Sequence, residues 1–113
     1  MKFNISELYN AVVVNFQGKL MGGPEAENFH NFLKETTESG KKNIIVDLGK
    51  VKYVNSSGIG SLVSGFTSVK NAGGELVLSG LSPKIKGVLS ITKLTSIFRI
   101  FNTVEDAARS FKT

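Results

Sequence analysis

Apolar and polar residues alternate at the start of the chain. Phe3 and Ile5 alternate with Lys2, Asn4 and Ser6, and Leu8 closes the run. This period of two predicts a half-exposed strand. Tyr9-Asn10 reads as a short turn, and Ala11 to Phe16 as a second, more apolar strand. Together they predict an antiparallel hairpin. Gly18 to Gly23 reads as a loop, and Pro24 suits the first turn of a helix, where a missing N–H costs nothing. Ala26, Phe29, Phe32 and Leu33 mark one face of that helix, and Gly40 is placed to end it.

The period then changes twice more. Asn43 to Leu48 carries Ile44, Ile45, Val46 and Leu48 almost without interruption, the signature of a central strand covered on both faces. From about Ser57 to Asn71 the apolar residues Ile59, Leu62, Val63, Phe66 and Val69 recur at helical spacing. Ser57, Ser61, Ser64 and Ser68 fall on the expected polar face, and Asn71-Ala72-Gly73-Gly74 terminates the helix. Glu75 to Ser79 is a further buried strand. Ser82-Pro83 opens a third helix with Ile85, Val88 and Leu89 inside. A short strand is expected around Ile97 to Phe101. Thr103 caps a last helix that turns Val104, Ala107, Ala108 and Phe111 inward. The order β-β-α-β-α-β-α-β-α predicts an α/β fold: a strand hairpin, then right-handed crossovers building a mostly parallel sheet.

Composition narrows the chemistry. The 113 residues suit one domain, and at this length roughly two-thirds of the chain's surface can be buried. There is no Cys, which excludes disulfides, thiolate nucleophiles and Cys-based metal sites and suits a reducing cytoplasm. The N-terminus lacks the basic-then-apolar pattern of a secretory signal. The longest aliphatic stretch, Ala11 to Val14, is far short of the ~20 residues that cross a bilayer. A cytoplasmic protein without membrane insertion is expected. Formal net charge is +5. Lys41, Lys42, Lys50 and Lys52 flank one strand, and Lys84, Lys86, Lys93 and Arg99 form a second group. Such charge first keeps a protein soluble, and it also attracts anionic partners. No aromatic ladder or nucleic-acid motif accompanies it, so direct nucleic-acid binding is not expected.

Catalytic material is sparse. His30 is the single histidine, without partners at metal-ligand spacing, and is expected at the surface or its boundary. Asp47, ending the central strand, is expected to cap a nearby loop rather than act as a base. Ser56-Ser57-Gly58 lacks the G-x-S-x-G elbow, and Gly58-Ile59-Gly60 lacks the third glycine of a dinucleotide loop. The notable segment is Tyr53-Val54-Asn55-Ser56-Ser57-Gly58-Ile59-Gly60, at a strand-to-helix junction. Asn and Ser here are favourable helix caps, each worth ~1 kcal/mol. The same position suits a phosphate, because a modified Ser56 would sit at the positive end of the helix dipole. The N–H groups of Gly58 and Ile59 are expected to meet it.

The strand pair ending in Gly18, the run Ile44 to Leu48 followed by Val51, Tyr53 and Val54, and the segment Asn55-Ser56-Ser57-Gly58-Ile59-Gly60 resemble the STAS domain family. Within that family they are most similar to the bacterial anti-sigma-factor antagonists. Asn71 to Leu78 and Leu81-Ser82-Pro83 extend the resemblance over nearly the whole chain. It implies a single STAS domain over residues 1–113, with a mostly parallel mixed sheet, an N-terminal strand hairpin and about four helices. It also implies a protein-binding regulator of sigma factors rather than an enzyme, with no cofactor. The partners would be an anti-sigma factor that is also a serine kinase, and a serine phosphatase. Ser56 would be the phosphoacceptor, with Ser57 the second choice. Asn55, Ser56, Ser57, Gly58, Ile59, Gly60 and Ser61 would form the partner surface with Met21 and Gly22. Two features depart from the family's habit. Asn55 stands where phosphorylated members usually have Asp, and Gly18 to Gly23 lacks the acidic residue common there. A non-phosphorylated STAS scaffold in a signalling assembly or a lipid transporter complex is the alternative, and an enzyme or small-ligand binder is a third class.

Overall fold

The computed structural model describes residues 2–111. Strands β1 (Lys2–Leu8) and β2 (Ala11–Leu20) form the expected antiparallel hairpin. Tyr9 turns the corner with φ +57°. Helix α1 (Pro24–Glu38) leads to β3 (Asn43–Val54), α2 (Ser56–Asn71), β4 (Glu75–Ser79), α3 (Pro83–Ile91), β5 (Ile100–Phe101) and α4 (Val104–Ser110). The five strands lie side by side in chain order, and every neighbouring pair after the hairpin is parallel.

This order has a geometric consequence. Each β-α-β crossover steps one strand in the same direction. Right-handed crossovers then place α1, α2 and α3 on one face of the sheet. Phe29, Leu33, Leu62, Val69, Ile85 and Leu89 pack there on Val14, Phe16, Ile44, Val46, Leu76 and Leu78. The opposite face has a smaller core: Ala107, Ala108 and Phe111 cover Ala11, Val13, Ile45 and Val77. Ile44, Ile45, Val46 and Leu48 are fully buried, as their unbroken apolar run predicts for a strand covered on both sides.

The edge strand β1 is held by aromatic contact. Phe3 pairs in register with Phe16, their rings 5.5 Å apart and edge-on, and Phe16 meets Phe29 at 5.0 Å in the same way. Phe3 is only partly buried, so this cluster ties an otherwise polar strand to the large core.

The helix ends follow the sequence closely. Ser82 accepts a hydrogen bond from the N–H of Ile85, and Thr103 from that of Asp106. After α1, the N–H of Lys41 reaches the Thr36 carbonyl and that of Gly40 reaches Thr37, a Schellman closure. Gly74 and Gly73 repeat it after α2 on Val69 and Lys70.

Four expectations need correction. β2 runs on to Leu20, so the loop before α1 is only 21–23. β3 does not stop at Leu48 but continues to Val54, because two bulges absorb its mismatch with β2 and keep the pair hydrogen-bonded. The segment expected as a strand around Ile97 to Phe101 is preceded by a 3₁₀ turn at Leu94–Ser96. Only Ile100–Phe101 pairs with β4. Asp47 caps no loop: its Oδ1 accepts from the Ser79 hydroxyl across the adjacent strand at 3.0 Å.

The inner face of α2 also differs from its apolar spacing. Gly58, Ser61 and Gly65 are buried along with Leu62 and Val69, while Ile59, Val63 and Phe66 are only partly covered. A stripe of small residues lets the helix approach its neighbours closely. A Cβ on Gly65 would lie 2.9 Å from the Phe29 ring and 3.0 Å from a Leu33 methyl. Ser61 can be buried because its hydroxyl donates to the Ser57 carbonyl at 3.1 Å. Gly65→Val should destabilise the fold by about 1–3 kcal/mol through overpacking. Urea unfolding checks this, with a drop in midpoint at unchanged slope as the expected outcome.

Candidate functional site

The signature segment lies where β3 hands over to α2. Asn55 is the N-cap, with extended backbone, and its Oδ1 accepts from the N–H of Gly58 at 2.9 Å. Ser56 is therefore not part of the cap but the first residue of the helix, and Ser57 the second. Both are exposed.

The backbone accounting corrects one expectation. The N–H of Gly58 is taken by Asn55, and that of Ile59 donates to the Asn55 carbonyl at 3.0 Å. Neither remains for a phosphate. The unpaired donors of this helix start belong to Ser56 and Ser57 themselves, as the first two positions of an α-helix require. An anion at Ser56 would meet these two groups and the positive end of a helix of 16 residues.

The loop after β2 is brought against this helix start. The N–H of Asn55 donates to the Leu20 carbonyl at 3.3 Å. Gly58 sits so close to the same carbonyl that a Cβ on it would lie 1.9 Å from the oxygen. Gly22, with φ +75°, leans on Ser57, and a Cβ there would approach the serine Cβ to 3.0 Å. Two close approaches thus bring Leu20 and Gly22 against the first turn of α2. Met21 is 42% exposed and Tyr53 44%, so each of the two segments that meet here leaves a large apolar side chain at the surface.

The expected partner residues fall into two groups. Ser56, Ser57, Gly60 and Met21 are exposed; Asn55, Ile59 and Gly22 are partly so. Gly58 and Ser61 are buried and shape the surface from beneath. Nothing fills the space beside Gly60, where a Cβ would have no neighbour within 4 Å.

His30 is half-buried beside the Phe29 ring, and no group of three His, Cys, Asp or Glu suited to a metal occurs among the described residues. No helix among the described residues is long and apolar enough to cross a membrane. Sequence reasoning did not find the pairing of Gly58 with Leu20. The signal for it was only that a glycine stands at the third position of a helix, where other residues are better helix formers.

The two glycines of the segment should respond oppositely to alanine. Gly58→Ala meets the Leu20 carbonyl and should cost about 1–3 kcal/mol while displacing the 21–23 loop. Gly60→Ala enters open space and should stabilise the helix by up to about 1 kcal/mol. Asn55→Ala should cost about 1 kcal/mol by loss of the cap. Thermal and denaturant unfolding of the three variants checks the order.

Known proteins share this fold. BtrV of Bordetella bronchiseptica, provisionally named an anti-sigma factor antagonist, is 29% identical over the whole of this chain and 97% of its own. The crystal structure of a provisionally named anti-sigma factor antagonist from Thermotoga maritima superposes with a TM-score of 0.83 at 24% identity, covering 96% of this chain and 92% of that one. SpoIIAA, a Bacillus cell fate determinant solved in its phosphorylated form, gives 0.75 at 19% identity over 98% of this chain and all of its own. At such identities the solved structures show a common fold. The family model for the STAS domain matches residues 2–107, and the chain belongs to the STAS domain family.

Proposed function

We propose that this protein is an anti-sigma factor antagonist. It binds an anti-sigma factor that is also a serine kinase, through the surface formed by Ser56, Ser57, Ile59, Gly60, Met21 and Gly22. Phosphorylation of Ser56 by that kinase ends the association, and a phosphatase restores it. The observation that carries the reading is the exposed Ser56 at the first position of α2, with two unpaired N–H groups and no bulky neighbour at Gly60. The names of its relatives support the same class of function.

Physical reasoning gives the switch its direction. A phosphate adds about −1.5 to −2 charges. At the start of α2 those charges are matched by the helix dipole and by the N–H groups of Ser56 and Ser57, so folding survives the modification. A docked partner would instead have to bury the new charge, which is costly unless the charge is paired. Ser56 is favoured over Ser57 as acceptor because it is exposed at the very start of the helix, while Gly22 packs against Ser57.

One observation favours a second reading. Asn55 caps the helix without a negative charge, so the segment works as a structural junction whether or not it is modified. In that case the protein is a STAS scaffold subunit of a signalling assembly or a lipid transporter complex, and its binding ignores the state of Ser56.

Incubation with its cognate kinase and ATP, followed by mass spectrometry, separates the two. One added phosphate on the native protein and none on Ser56→Ala is expected. Equal phosphate on both would remove Ser56 from the account. Ser56→Asp should weaken the partner's binding at least about tenfold, equivalent to ~1.4 kcal/mol, with an unfolding midpoint close to that of the native protein. Binding of a transporter subunit unchanged by Ser56→Asp would decide for the scaffold.

A further inference from the structure

The face of the sheet opposite α1–α3 is only half covered. The second core reaches no further than Val13 on β2 and Ile45 on β3. Beyond those residues β2 stays paired with β1 as far as Gln17 and β3 with β4 as far as Asp47, and from there β2 and β3 run on as a two-stranded ribbon. Phe16, Leu20, Val51 and Val54 of this ribbon turn to the helices. Their partners in alternation turn the other way: Gln17 beside Lys50, and Lys19 beside Tyr53. Lys52 is the extra residue of the bulge between Gly18 and Lys19. Gln17, Lys19, Lys50, Lys52 and Tyr53 are all exposed.

Lys19, Lys50 and Lys52 are unmatched. The ion pairs among the described residues lie elsewhere: Lys41 with Glu7, Arg99 with Glu75, and Arg109 with Asp106. The acid on the same face, Asp47, holds the Ser79 hydroxyl. Neighbouring strands are about 4.8 Å apart, so the lysines are close enough to repel one another in the free protein. Here a cationic surface with one phenol is left open.

We propose that this face docks an acidic, extended segment of a protein partner. The chemistry is charge complementarity: carboxylates opposite Lys19, Lys50 and Lys52, with Gln17 and the Tyr53 hydroxyl as hydrogen-bonding neighbours. Size argues for a peptide. The patch spans two strands and about four residues along them, roughly 10–15 Å, which fits three or four carboxylates. A nucleic acid would be held by about six to ten phosphate contacts along a longer track and by more than one stacking ring. Tyr53 leads through Val54 directly to Asn55. The docked segment therefore lies beside the Ser56 surface and names the chemistry of the partner proposed above, on which reading this placement rests.

The test is an amide NMR titration of the ¹⁵N-labelled full chain with a ten-residue peptide of alternating Glu and Gly. Its Gln-Gly counterpart and a single-stranded decanucleotide serve as comparisons. Shifts confined to residues 17–19 and 49–54 are expected with the glutamate peptide, weakening as salt is raised. The double variant Lys50→Glu/Lys52→Glu should lose at least about tenfold in affinity, and Lys84→Glu/Lys86→Glu should keep it within about twofold, since only the first pair faces the peptide. Equal shifts around Lys84, Lys86 and Lys93 would overturn the proposal. So would equal binding of the glutamine peptide, or tighter binding of the nucleic acid at the same residues. A protein that binds the peptide here but is never phosphorylated refutes the switch alone, and one that is phosphorylated but ignores the peptide refutes the docking face alone.

Discussion

The Leu20 carbonyl is the point on which the site depends. It ends β2, accepts the N–H of Asn55, and lies so near Gly58 that no side chain fits between them. One oxygen thereby fixes the end of a strand, the cap of a helix and the first turn of that helix. Because β2 and β3 are paired as far as Leu20 and Val54, the two segments arrive at the sheet's end together. The serines are then presented by rigid elements rather than by a free loop, which holds the surface around them in one shape.

The second constraint is the one-sided helix layer. Crossovers that all step in one direction stack α1, α2 and α3 on the same face, and the small-residue stripe of α2 lets that layer close. Gly65 admits the Phe29 ring and Leu33 to within contact of the helix backbone, while Gly58 admits Leu20 at its other end. The same stripe thus serves packing at one end and the site at the other. The opposite face receives only α4, a helix of seven residues, so half of it remains polar and cationic.

Most of the architecture was legible in the chain. Period-two and unbroken apolar runs marked the strands, and Ser82, Thr103, Pro24 and the paired glycines marked the helix ends, because these signals are local. What the chain concealed was non-local. The extension of β3 through Lys50 and Lys52 breaks alternation, and only its bulged pairing with β2 explains it. Ser61 looked polar and is buried, because the neighbours of α2 demand small side chains rather than apolar ones. Nor did spacing reveal that Asn55 already occupies the Gly58 N–H, which leaves Ser56 and Ser57 as the donors of the site.

The strand order carries a consequence for how the molecule is assembled. Each strand lies beside the one that precedes it in the chain, from β1 through β5. No strand has to insert between two already in place, and no loop has to wait for a distant partner. The growing sheet can be extended in the order of synthesis, each crossover sealing its own helix onto the layer before the next strand arrives. The α2 junction is then closed as soon as β3 has aligned with β2. The surface bearing Ser56 can thus be complete before the C-terminal helix covers the back of the sheet.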